Sequence, residues 1–427
     1  MKRATPLGWL KHDITNRGIT AWLSAYLILL FYIVLYFGHL VGKAAAWPKA
    51  HNVIWATIAA WVVGSGIYKI SQAKANRESP VTHIIFMVQS AILVAALYFS
   101  LYYLKAMGVG YDPLEPFSKS IGLPGKWMLY GVGYTILITG FGIYMIRKYK
   151  HNKYQIIRTS VVIFVQAVLA LCIPWLLKSF QKPEYYFSYI WPLKIDYFYP
   201  STISYQLQNG LPVPVVVYSF VAGLVLAPAM AYFFGKRWYC SWVCGCGGLA
   251  NTFGEPWRHL SDKSTTSHKV EKITIHTVLI AAVVLTILMF LSTQVPKGHA
   301  LAKFGEDFRY IYGVLIISVL SGIAGVGLYP LGGTRVWCRF ACPMAALLGL
   351  VQKTGRFHIK VKKDMCISCG MCSKYCEMGI DVRSYAQKNE SFTRASCVGC
   401  GLCSEVCPRG VLRLENGAKI DIKYPGQ

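Results

Sequence analysis

The chain has 427 residues, of which 55% are hydrophobic and only 15% charged, and its formal net charge is +26. This composition excludes an ordinary soluble domain. The positive charge does not indicate nucleic-acid binding, because the basic residues are spread over loops between apolar segments and form no stripe with interleaved aromatics. We therefore predict an integral membrane protein whose lysines and arginines contact anionic membrane lipid.

Eight apolar segments are long enough to cross a hydrocarbon core of about 30 Å. They are residues 20–41, 53–68, 81–104, 127–146, 161–177, 215–234, 273–291 and 311–328. The first is too long for a signal peptide and is interpreted as a retained span. An even number of spans places both termini on one side. The excess of basic residues in the loops of that side predicts cytoplasmic termini in a bacterial inner membrane.

After the last span the apolar pattern stops, and residues 366–376 and 397–407 both read C-x2-C-G-x-C-S-x2-C. This repeat is the bacterial ferredoxin pattern, in which three cysteines of one motif and the fourth of the other hold each [4Fe–4S] cluster. The predicted ligand sets are Cys366, Cys369, Cys372 and Cys407, and Cys397, Cys400, Cys403 and Cys376. Zinc favours separated C-x2-C pairs, and a cytoplasmic domain disfavours disulfides. One departure is Glu377, which stands where the second motif has Pro408.

A second repeat joins RWYCSWVC, residues 237–244, to RVWCRFAC, residues 335–342. Each copy follows a span, and the two spans run in the same direction, so both cysteine pairs reach the cytoplasmic edge at one depth. Residues i and i+4 share a helix face, which lets each pair point one way. We predict a further iron–sulfur cluster held by Cys240, Cys244, Cys338 and Cys342, with Arg237 and Arg335 favouring its reduced form.

Alternatives remain open for these cysteines. Buried structural thiols would explain the same residues, since free cysteine is a common core residue. Cys246 extends the first copy, and it could replace Cys244, bind iron alongside it or have no role. Cys172, alone in the fifth predicted span, is expected to pack in the core.

The duplicated C-x3-C, with Pro343 after Cys342, followed by a double ferredoxin motif, resembles the membrane-bound 4Fe-4S polyferredoxin family of NapH-type and NosR-type proteins. The resemblance covers residues 214–413. The first copy departs from the family pattern, because Gly245 stands where proline is usual. The resemblance implies electron transfer between the membrane quinone pool and a partner redox protein, and possession of quinone as a further cofactor. A relative that reduces copper for oxidase assembly suggests a metal reductase as one alternative, and a structural iron–sulfur subunit is another.

The predicted fold is therefore a membrane all-α protein of about eight transmembrane helices with a C-terminal cytoplasmic 2[4Fe–4S] ferredoxin domain. Its regions are 1–178, a five-span membrane region; 179–212, an aromatic extracytoplasmic loop; 213–354, the membrane region with both C-x3-C motifs; and 355–427, the ferredoxin-like domain and tail. The tyrosines of the loop predict a membrane-surface belt or a docking face. His83 and His276 share a depth and are candidates for binding a quinone headgroup. The residues predict an electron-transfer subunit with no acid–base catalyst.

Overall fold

A computed structural model describes residues 115, 118–119, 121–296 and 298–417. The chain forms two compact units, Met1–Tyr130 and Gly131–Gln427, and the candidate sites in the described part of the chain belong to the second. The three predicted spans at residues 20–41, 53–68 and 81–104 lie outside the described residues, as does His83.

Five helices of the described part are long and apolar enough to cross a membrane. They are α1 (Lys126–Lys148), α2 (Lys153–Ser179), α4 (Val213–Phe234), α7 (Thr265–Gln294) and α8 (Ala300–Ala324). These helices coincide with five of the eight predicted spans; each is longer than the predicted segment, and α8 starts 11 residues earlier and ends four residues earlier than residues 311–328. Three of them contain π-helical stretches, at Val165–Cys172, Val221–Leu226 and Gly313–Ala324.

Shorter elements lie between these long helices and after α8. They are α3 (Pro200–Gln208), α5 (Arg237–Cys240), α6 (Gly245–Asn251), α9 (Tyr329–Gly332), α10 (Val336–Phe340), α11 (Pro343–Thr354), β1 (Phe357–Val361), α12 (Met371–Lys374), α13 (Val382–Gln387), α14 (Leu402–Glu405) and β2 (Leu412–Asn416). Two 3-10 turns, Ile195–Phe198 and Glu255–Leu260, stand between them. The strands β1 and β2 pair antiparallel, with Phe357 opposite Asn416.

Local sequence explains where the spanning helices start and stop. The side chain of Asn152 caps α2 by accepting from the Gln155 N–H, and Ser264 caps α7 by accepting from the Ser267 N–H. Gly235 ends α4 with a φ of 65°, a conformation that glycine adopts without strain. A Cβ there would lie 3.0 Å from the ring of Phe357. The close approach lets β1 pack directly against the end of the span.

The aromatic segment before α4 folds inward. Tyr185, Tyr197 and Tyr199 are buried, so the prediction of a surface belt or docking face is wrong for these side chains. Tyr185 and Tyr197 stack with ring centroids 4.7 Å apart. The Tyr239 hydroxyl, beside the first C-x3-C motif, donates to the Ser188 carbonyl at 2.9 Å. The segment therefore reaches the end of α4 that carries the cysteines.

The second ferredoxin motif lies against the membrane helices. Side chains of the membrane region donate to three consecutive carbonyls of this motif: Ser241 to Val398 at 2.7 Å, Tyr154 to Gly399 at 2.6 Å and Gln155 to Cys400 at 2.9 Å. These bonds satisfy a backbone that belongs to no helix or sheet. They also fix which of the two motifs faces the spans.

A buried ion pair ties α10 to α7. The Arg339 Nε donates to the Glu271 Oε2 at 2.9 Å, and both side chains are less than a tenth exposed. Removing one partner leaves the other as an uncompensated buried charge. The pair therefore holds the second C-x3-C motif against the seventh predicted span.

Arg339→Ala should lower the free energy of unfolding by about 3–5 kcal/mol, seen as a lower thermal transition of the detergent-solubilised protein. The control is Arg309→Ala, which removes an exposed pair with Glu306 and should cost less than about 1 kcal/mol. Equal losses for the two variants would contradict a structural role for the buried pair.

Candidate metal centre

The first predicted ligand set surrounds a cavity. Cys366, Cys369, Cys372 and Cys407 line about 350 Å³ of space that is partly open to solvent. Cys369 is exposed and Cys372 is buried. The Val411 N–H donates to the Cys407 Sγ at 3.4 Å. We call these four cysteines the outer site, because one of its thiols faces solvent.

The second predicted set lines a separate space of about 400 Å³, which is also partly open to solvent and is bordered by Cys376, Cys397, Cys400 and Cys403. We call these cysteines the inner site, because the membrane region holds the backbone of Cys400. The Arg258 Nη1 donates to the Cys400 Sγ at 3.8 Å. Each cavity thus gathers three cysteines of one motif and the fourth of the other, which is the arrangement that the spacing predicts.

The backbone repeats along with the cysteines. Gly370 and Gly401 have φ values of 78° and 77°, and Gly379 and Gly410 have φ values of 66° and 58°. Each member of a pair occupies the same place in its motif. Positive φ carries little strain for glycine, and it turns each loop tightly around its cavity. The two motifs therefore share one local fold.

The membrane-edge site comprises the five cysteines of the two C-x3-C regions. Cys240 ends α5 and Cys244 is the N-cap residue of α6, whereas Cys338 lies in α10 and Cys342 is the N-cap residue of α11. The expectation that each pair shares one helix face is therefore wrong, because a turn separates two short helices in each copy. Electrostatic interactions nevertheless link Cys342 to Cys240, Cys244 and Cys338, so the turns bring the two pairs together.

Two glycines allow this close approach. A Cβ on Gly247 would lie 1.9 Å from the Cys240 carbonyl oxygen and 3.0 Å from the Arg335 Nη1. A Cβ on Gly245 would lie 2.7 Å from the Tyr189 hydroxyl. Proline carries a Cβ, so the inward-folded aromatic segment explains why this copy has glycine where the other has Pro343.

Cys244 and Cys246 differ in their acid–base behaviour. A hydrogen bond from Cys246 lowers the pKa of the Cys244 thiol to about 7, against the raising effect of burial, and the Gly247 N–H acts in the same direction. The same hydrogen bond, together with burial, raises the pKa of Cys246 well above its ordinary value. The geometry therefore favours a thiolate at Cys244, and thiolate is the form that binds metal.

The two predicted arginines occupy different environments. The Arg335 Nη1 donates to the Cys338 Sγ at 3.6 Å, and its Nη2 donates to the Glu377 Oε1 at 3.0 Å. Arg237 instead lies over the ring of Phe357, 4.9 Å from its centroid. The repeat in sequence therefore does not extend to a repeated arginine–thiol contact.

Sequence reasoning missed the charges around these sites. Arg158, Arg258 and Lys236 are each at most 1% exposed. Arg158 donates to the Cys400 carbonyl at 3.1 Å, while Lys236 interacts electrostatically with Cys240 and Cys397. Basic residues at span ends look like lipid contacts in a sequence. One sequence feature could have indicated these buried charges, namely Glu377, an acid in place of the usual proline.

These surroundings fit anionic clusters. Several nitrogens of the buried arginines have no hydrogen-bond partner, namely Nε and Nη2 of Arg158 and Arg258 and Nε of Arg335. Unpaired buried cations are costly, and cysteine-ligated cubes carry negative charge that would offset them. Within the described part of the chain, no three His, Cys, Asp or Glu side chains form a group that could hold a single metal ion.

His276 and Cys172 were also singled out in the sequence, and both lie in membrane-spanning helices. His276 bonds through Nδ1 to the Lys272 carbonyl, one turn earlier in α7, at 2.6 Å. Cys172 is exposed, so the prediction that it packs in the core is wrong.

Known protein families match the regions just described. The family model described as "4Fe-4S dicluster domain" matches residues 359–414, which hold the inner and outer sites. The model described as "4Fe-4S binding domain" matches residues 216–262 and 314–362, each with one C-x3-C copy. These two family-model matches, together with the names of similar proteins, support a 4Fe-4S polyferredoxin family. Iron–sulfur electron transport is the function that these domains and the names of the relatives support.

Curated relatives of the chain include the putative electron transport protein YccM of Escherichia coli, 27% identical over 36% of this chain and 44% of the relative. They also include the methylamine utilization ferredoxin-type protein MauN of Methylorubrum extorquens, 28% identical over 33% of this chain and 48% of the relative. The chain thus spans about half the length of these relatives. No solved structure matches it.

Gly247→Ala should remove the membrane-edge cluster, a loss of about four iron atoms per chain, because its Cβ overlaps the Cys240 carbonyl. Iron and sulfide analysis of anaerobically purified protein measures this loss. The control is Gly140→Ala in α1, where no atom lies within 4 Å of a built Cβ and the iron content should stay unchanged. Full iron content in the Gly247→Ala variant would contradict the tight packing described here.

Proposed function

We propose that the chain passes single electrons between the membrane quinone pool and a partner redox protein by way of three iron–sulfur clusters. The observation that carries this proposal is the order of the cysteine sites. The membrane-edge site follows the ends of α4 and α8, the inner site contacts the membrane region, and the outer site includes a solvent-exposed thiol. Iron–sulfur clusters exchange single electrons, so this order suits a conduit from lipid to a partner in water.

The contacts between neighbouring sites support this order. Arg335 bridges the membrane-edge Cys338 to Glu377, the residue after Cys376 of the inner site. Cys403 of the inner site interacts electrostatically with Cys372 of the outer site. Thiols from all three sets contribute to one hydrophobic core, which includes every proposed ligand except the exposed Cys369.

We assign Cys240, Cys244, Cys338 and Cys342 as ligands of the membrane-edge cluster. Cys244 and Cys342 both precede the first residue of a helix and are both buried. Cys246 lies one residue into α6 and donates to Cys244. Its role is then to hydrogen-bond a ligand sulfur, a contact that tunes potential. The cytoplasmic side for the ferredoxin domain is part of the proposal, based on the basic loops.

Cys342→Ala and Cys244→Ala should each lower the iron content by about four atoms per chain, from about twelve. Cys246→Ala should retain the iron and shift the potential of the membrane-edge signal in redox-titrated EPR. Cys172→Ala is the matched control and should change neither quantity. About eight iron atoms in the unaltered protein would rule out a membrane-edge cluster while leaving the two ferredoxin clusters.

The quinone proposal is tested with dithionite-reduced protein in liposomes and the quinone duroquinone. Duroquinone should reoxidise the clusters, measured by the return of visible absorbance, and Cys342→Ala should lose most of that rate because the membrane-edge step is missing. Reoxidation by a soluble ferredoxin acceptor but not by duroquinone would reject the quinone while preserving electron transfer.

A further inference from the structure

The space between the membrane-edge and inner sites holds more buried positive than negative charge. Arg158, Arg258, Arg335 and Lys236 are each at most 1% exposed, and so is Glu377. Two nearby pairs, Lys148 with Glu255 and Arg339 with Glu271, are each balanced. Four buried cations therefore accompany a single acid, and three of them, Arg158, Arg258 and Arg335, interact electrostatically with it.

Glu377 lies at the centre of this cluster and contacts both sides. Its Oε1 accepts from the Arg335 Nη2 at 3.0 Å, and Arg335 also reaches the membrane-edge Cys338 Sγ. Its Oε2 forms an ion pair with the Arg258 Nη1 at 3.1 Å, and Arg258 reaches the inner Cys400 Sγ. One acid and two arginines thus join a sulfur of one site to a sulfur of the other.

The outer site lacks this arrangement. The residue that corresponds to Glu377 in the second motif is Pro408, which is exposed and carries no charge. The outer site therefore serves as an internal reference. It shares the cysteine motif with the inner site but lacks the acid, so a change in potential caused by the acid should be seen at the inner site.

We propose that Glu377, Arg258 and Arg335 form a charge bridge that sets and couples the reduction potentials of the membrane-edge and inner sites. The inference rests on the proposed function, because it requires clusters at both sites. Nearby positive charge favours the reduced, more negative state of a cluster, and negative charge opposes it. Burial makes these effects strong. The guanidiniums act on both sites, and Glu377 limits how far they raise the potentials.

The test compares potentials from redox-titrated EPR of the full-length protein in detergent. Glu377→Gln keeps the shape and removes the charge, so the potentials of the membrane-edge and inner signals should rise. At the wild-type midpoint potential, we expect a roughly tenfold higher ratio of reduced to oxidised cluster. This corresponds to an upward shift of the midpoint potential of about 59 mV for one electron. The outer signal should move less.

Arg335→Gln should lower the same two potentials, because it removes a positive charge. A packing defect alone would not move them in opposite directions in the two variants. Glu415→Gln serves as the control, since Glu415 is a partly exposed acid of β2 paired with Lys360, and it should leave all three potentials unchanged.

The outcomes separate the bridge from the proposed function. Three clusters with wild-type potentials in both variants would overturn the bridge and keep the conduit. An unaltered protein without membrane-edge iron would overturn both the bridge and the three-cluster path. If the Glu377→Gln variant fails to hold iron, the Arg335→Gln variant decides. A lower potential of the membrane-edge signal alone, with the inner signal unchanged, also overturns the bridge.

Discussion

The attachment of the second ferredoxin loop to the membrane helices is the interaction on which the other features depend. Ser241, Tyr154 and Gln155 donate to successive carbonyls of that loop. A loop around a cluster has few backbone partners of its own, and buried carbonyls need donors. The membrane region supplies those donors, and as a result one motif faces the spans while the other has a solvent-exposed thiol, Cys369.

The charge distribution follows from this attachment. Once the inner site lies beside the membrane-edge site, thiols from both sequence repeats meet in one hydrophobic core. Thiolates or the proposed clusters there would need nearby cations, and Arg158, Arg258, Arg335 and Lys236 are the buried cations available. Such cations are costly when unpaired. With the proposed clusters bound, the same residues would stabilise the loaded protein and destabilise the protein without clusters, which would couple cluster assembly to folding as in other metal sites.

The sequence predicted which cysteines of the ferredoxin-like region line each cavity and where the five long apolar helices of the described region lie, because cysteine spacing and apolar length are local properties. It failed where the outcome depended on tertiary contacts. The i, i+4 spacing of Cys240 and Cys244 suggested one helix, but a turn intervenes. The two departures from the family pattern, Gly245 and Glu377, are the residues whose tertiary contacts the sequence did not predict. Gly245 accommodates the inward aromatic segment, and Glu377 meets two arginines from distant parts of the chain.

The exposure of Cys369 has a consequence for handling and for damage in the cell. Dioxygen and small oxidants in water reach that sulfur directly, whereas Cys240, Cys338 and Cys342 lie behind packed side chains. On the proposed electron path, oxidative breakdown should thus begin at the outer site and spare the membrane-edge site. A protein briefly exposed to air would then keep the membrane-edge cluster while losing the cluster proposed to reduce or oxidise the partner in water.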